Sequence, residues 1–108
     1  MTYDENKPSK EQAEMEMRYP KMVAAHNFRV SETQKYLVDT SETRPGLFET
    51  MVFPDKKIGE HWVDDMTNPY RHAWETFDDR KEAKEYHMKW VAFLKGESDE
   101  PPEYRTNC

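Results

Sequence analysis

Three glycines among 108 residues, one cysteine and no long apolar run set the first limits on this chain. With so little glycine there is nothing from which to build a phosphate-cradling loop, and no G-x-G-x-x-G, P-loop, G-x-S-x-G or H-E-x-x-H pattern occurs. The cysteine is Cys108, the last residue, so no intramolecular disulfide or thiolate metal cluster can form, and a reducing cytoplasm fits. A thiol at the end of a polar, proline-bearing stretch is also poorly placed for catalysis, which demands tight positioning. No apolar segment resembles a signal peptide or approaches the roughly 18 residues of a membrane span, so neither secretion nor membrane insertion is expected. Basic residues are the minority, 16 against 22 acidic ones, and the net charge of -6 disfavours direct binding to nucleic acid or anionic membranes. Hydrophobic residues make up only 35 % of the chain, which implies one domain with a modest core.

What is present divides into three stretches. Residues 1–8 are polar and read as a flexible N-terminus. Ser9-Lys10-Glu11-Gln12 then has the spacing of a capping box, and Met15, Tyr19, Met22, Val23 and His26 follow at helical spacing, so a helical segment is expected over 9–28, interrupted at Pro20. From residue 30 to 95 a sheet and a helix are expected. Tyr36-Leu37-Val38 is β-prone, residues 40–46 carry turn formers, and residues 47–53 form the strongest strand signal, apolar on both faces and ended by Pro54. Residues 55–69 read as an exposed excursion around Trp62, and Tyr70 to Thr76 as a further strand. Asp78 or Asp79 caps a helix running to about Lys95, with Ala83, Tyr86, His87, Trp90, Val91 and Leu94 on one face and Gly96 as its stop. Residues 96–108 read as an acidic, flexible tail.

Candidate chemistry is sparse. His26, His61, His72 and His87 lie too far apart for a local metal site, so no metal and no cofactor is expected, although His72 and His87 with Asp64 or Asp65 could meet in space. The plainer reading makes His87 a structural histidine bonded to a backbone acceptor. Trp74 and Trp90 read as core. Trp62 is different: beside His61 and followed by Asp64 and Asp65 in a polar stretch, it either folds back over the sheet or anchors an interface. Tyr19 and Met22, on the apolar stripe of the expected N-terminal helix, are further interface candidates.

Leu47-Phe48-Glu49-Thr50-Met51-Val52-Phe53, followed by Phe77, Asp78-Asp79, Glu82-Ala83 and His87, resembles a family of short phage and prophage proteins of uncharacterised role. The likeness spans about residues 36 to 95 and departs from the usual pattern at Tyr86, where a small residue commonly precedes the histidine. It implies a source, a phage protein in the host cell cytoplasm, but no activity.

The expected architecture is therefore α+β: a small antiparallel sheet of three to four strands packed by the C-terminal amphipathic helix, with the N-terminal helical segment against the other face or a partner. The expected function is non-enzymatic: an accessory protein that binds a host or phage protein, for instance to inhibit a host enzyme or defence factor. The alternatives are a minor virion or assembly component, and a small metal- or ligand-binding protein using His72, His87, Asp64 and Asp65. A second copy of the chain is another partner to consider.

Overall fold

The computed structural model describes residues 19–106. They form six strands and one helix: β1 Lys21–Arg29, β2 Gln34–Arg44, β3 Leu47–Ile58, β4 His61–Asp64, β5 Ala73–Phe77, α1 Arg80–Leu94 and β6 Arg105–Thr106. All pairings are antiparallel, in the order β1-β2-β3-β5-β6, with β4 also against β3. This corrects the expected architecture in two respects. The sheet has six strands rather than three or four, and no N-terminal helical segment exists among the described residues. Residues 9–18 of that expected segment lie outside them, and from Lys21 the chain is strand.

The reason lies in a bulge. The register of β1 on β2 shifts between Met22 and Ala24, and beyond it His26 and Phe28 face one side of the sheet, Ala25 and Asn27 the other. Half-polar on both faces, this strand has little alternation to show in sequence.

β3 does not end at Pro54. The Pro54 carbonyl accepts from the Asp65 backbone N–H at 2.9 Å, so the missing proline donor would have pointed to the same edge. There β5 pairs with residues 48–51 and β4 with residues 55–58, and Pro54 sits in the gap between them. The expected excursion over 55–69 is thus half hairpin, closed by Gly59-Glu60. Gly59, with φ 62°, supplies the left-handed first position that a two-residue turn of this kind needs.

α1 covers one face. Asp79, extended at φ -131°, accepts from the Glu82 N–H at 3.2 Å, and beyond the helix end Gly96 takes φ 83° to release the chain. Ala83, His87, Trp90, Val91 and Leu94 are buried against Tyr36, Val38 and Thr40 of β2, Phe48, Thr50, Val52 and Pro54 of β3, and Ala73 of β5. After Gly96 the chain returns to this core. Tyr104 lies 5.3 Å from the Trp90 ring and 5.9 Å from that of Tyr70, centroid to centroid, and β6 adds to β5. The expected flexible tail is therefore corrected for residues up to Thr106: its one aromatic, Tyr104, joins an edge-on cluster with Tyr70, Trp90 and Phe93, which offsets the entropy of ordering the segment.

Candidate functional site

The helix occupies one face of the sheet only. On the other, register pairing lines up Asn27, Leu37 and Phe53 in one row and Ala25, Asp39, Met51, Trp74 and Arg105 in the next. Leu37, Met51, Phe53 and Trp74 are half-buried there, beyond the reach of α1. Antiparallel sheets commonly turn a polar face to water, so this much apolar surface on the side that carries no helix among the described residues needs a use. Burial in this setting pushes the Asp39 carboxyl above the usual carboxylate range, and the hydrogen bond from Ser41 only partly opposes it.

Trp62 belongs to this face. It pairs with Lys57 in the β3–β4 hairpin, and its half-buried ring lies back across the sheet, 4.7 Å from the Lys35 ammonium and 5.3 Å from the Arg29 guanidinium. Each such contact is worth about 0.5–1 kcal/mol when exposed, so the ring is held in place rather than swinging free. Trp74 carries Arg105 at 5.7 Å in the same manner. Local positive charge thus gathers beside both tryptophans of this face, in a protein whose net charge is negative.

The remaining sequence candidates separate. His61 is exposed at the hairpin turn. Asp64 is exposed and lies 3.4 Å from the Arg71 Nε and 4.0 Å from the His72 Nε2, forming a surface cluster with His72, which holds a left-handed φ of 62°. Asp65, only 6 % exposed, turns the other way. It accepts from the Thr67 hydroxyl at 2.8 Å and the Thr67 N–H at 3.2 Å, with Lys56 at 4.0 Å. Burial raises its pKa, but these bonds and the Lys56 charge outweigh that and bring it below the usual range. Asp65 is therefore a turn-fixing group, not a ligand beside Asp64. Tyr19 is half-buried with the Lys21 ammonium 5.0 Å over its ring, and Met22 is 74 % exposed on β1, so the two do not share the helical stripe that suggested them.

His87 does not meet His72. Fully buried on the sheet-facing side of α1, it bonds two side chains instead of a backbone acceptor: its Nε2 is 2.8 Å from the His26 Nδ1, and its Nδ1 is 2.8 Å from the Thr40 hydroxyl, itself 2.7 Å from that of Thr50. This chain of four ties β1, α1, β2 and β3 together. Either each donor points inward, from the His26 Nδ1–H through the His87 Nδ1–H to Thr40 and then Thr50, or each points outward. Both orders satisfy every bond named with neutral rings. Burial first, and the facing His26 second, lower the pKa of His87 to about 4. A hydroxyl beside an oriented imidazole can serve as a nucleophile, but Thr40 and His87 are wholly shielded from solvent, so this arrangement acts as a polar rivet. Among the described residues no group of three or more His, Cys, Asp and Glu side chains is gathered as a metal site, and no helix is long and apolar enough to cross a membrane.

Sequence reasoning singled out Trp62 but missed Arg29, Lys35, Phe53 and Leu37 around it. Alternation of Tyr36, Val38 and Thr40 against Leu37, Asp39 and Ser41 in β2 was the available signal. Compared with known proteins, the chain matches no family model, no curated protein and no solved structure.

Proposed function

We propose that this protein acts without catalysis, by binding another protein through the helix-free face of its sheet, with Trp62 as the anchor. The observation that carries this reading is a continuous half-buried apolar surface, Leu37, Met51, Phe53 and Trp74, with a tryptophan pre-positioned at its end by Arg29 and Lys35. Large aromatics and arginines held in place lose little side-chain freedom on binding, and such groups dominate interface energetics. The phage-type motifs add a setting to this reading: the partner is a host or phage protein met in the host cytoplasm. Inhibition of a host enzyme or defence factor is then the form such binding takes.

Capture from host cells with the full-length protein tests the reading. Trp62→Ala loses about 2 kcal/mol of binding, some thirtyfold, and the neutral Met51→Gln disrupts the apolar row, while both variants keep a thermal midpoint close to that of the unmodified protein. Undiminished capture by well-folded forms of both variants would remove the face from consideration.

A further inference from the structure

The sheet ends at β1, which among the described residues pairs with β2 alone. Nine residues long, it presents roughly four outward-pointing residues, each with one backbone donor and one acceptor, on its free edge. Past the bulge between Met22 and Ala24, residues 24–29 keep an unbroken register on β2. Proteins protect such edges with lysines, bulges or prolines. Here the bulge and Lys21 protect only the start of the strand, and the stretch that follows is regular, proline-free and flat in register.

Its charge is the reverse of the chain's. Lys-Met-Val-Ala-Ala-His-Asn-Phe-Arg contains two cations and no carboxylate, and the next strand sets Lys35 opposite Arg29 and Glu42 opposite Lys21, so the Arg29 end is the more positive. That pattern selects among occupants. A second copy pairing antiparallel about Ala25 would set Lys21 against Arg29 at both ends, and like charges directly opposed are destabilising. An extended segment with carboxylates at its ends meets the same two cations favourably. Its alternate side chains then fall beside Phe28 and His26 on the helix side, both half-buried, and beside Ala25 and Asn27 on the other, which are small enough to leave room.

From these features we infer that β1 takes an extended acidic segment of the partner as a further strand of the sheet. The inference rests on the protein-binding reading and adds the chemistry of what is bound. Main-chain bonds supply the affinity in this mode, and charge at the strand ends supplies the selection.

The test uses the full-length protein and three synthetic nine-residue peptides: one with glutamates at both ends and alternating valine and threonine between, one identical but lysine-ended, and one glutamate-ended but N-methylated along one edge. Amide hydrogen exchange by NMR reads out β1 directly. With the glutamate-ended peptide, the outward-pointing β1 amides slow about tenfold or more, and its affinity exceeds that of the lysine-ended peptide by about tenfold at low salt, a margin that shrinks at high salt. The N-methylated peptide does not bind.

Equal binding of the N-methylated or lysine-ended peptide overturns the inference. So do outward-pointing β1 amides that are already slow in the free protein, since the edge would then be occupied by the chain itself. If peptides perturb Trp62 and Phe53 but leave β1 exchange unchanged, the edge assignment falls and the face reading survives. If capture from host cells is undiminished for well-folded Trp62→Ala and Met51→Gln variants, the face reading falls instead.

Discussion

Lowering the pH from about 7 to about 4 puts a proton on His87 in the unfolded chain well before the folded one accepts it. The unfolded imidazole titrates at its ordinary 6.5, whereas the folded one is lowered to about 4, chiefly by burial and then by His26. Above 6.5 both forms are neutral and the group contributes no pH dependence. Between 6.5 and about 4 the unfolded state binds the extra proton, so stability falls with falling pH, and below about 4 the loss levels off. At roughly 1.4 kcal/mol per pKa unit the full loss has a ceiling of about 3 kcal/mol. Solvent screening around the half-buried His26 reduces this to about 2 kcal/mol. In urea unfolding followed by tryptophan fluorescence, that moves the midpoint down by roughly 1–2 M across the window. His87→Gln keeps an amide capable of bonding Thr40 but cannot titrate, so the difference between the two proteins isolates this group from Asp39 and Asp65, which also titrate differently from their ordinary values. A midpoint that stays level between pH 6.5 and 4, or one that falls equally in His87→Gln, would refute the argument.

Two further substitutions probe the core. Trp90→Ala removes a side chain with no solvent exposure from an aromatic cluster and costs about 3–5 kcal/mol, read as a lowered urea midpoint; unchanged stability would mean that α1 does not pack as described. Ending the chain at Gly96 removes Tyr104, β6 and the bond that the Tyr86 hydroxyl donates to the Glu103 carbonyl. The loss of about 2 kcal/mol lowers the thermal midpoint by about 10 °C in differential scanning calorimetry, and a shortened chain that melts with the full-length one would show that this segment contributes nothing.

Some elements were legible because local chemistry decides them. Asp79 caps α1 and Gly96 releases it at the positions that residue type alone indicates, and the apolar run from Leu47 makes a central strand. Others depended on what lies across the sheet. Pro54 reads as a stop until one sees that the edge it faces is a gap between two partners. β1 reads as helix because Met15, Tyr19, Met22, Val23 and His26 happen to fit a helical period, while a bulge hides the alternation that follows. Tyr104 is a single aromatic among prolines and acids, and no local pattern announces that Trp90 and Tyr70 await it. The rivet is beyond any spacing argument, since His26 and His87 are 61 residues apart and Thr40 meets Thr50 through strand register. The clustering of Arg29 and Lys35 around Trp62 was hidden for the same reason, and net charge, a sum over the whole surface, pointed away from it.

The way β3 shares one of its edges has a consequence for how the molecule breathes. Residues 48–51 are backed by β5 with α1 above, while residues 55–58 are backed only by the four-residue β4. One continuous strand therefore spans two regions of unequal cohesion, with Pro54 at the seam, where the single bond from the Asp65 N–H to the Pro54 carbonyl closes this edge. Fraying of β4 from β3 has only a four-pair ladder and that one bond to break, so this hairpin opens more readily than the core, and each closure returns Trp62 to its place beside Lys35 and Arg29.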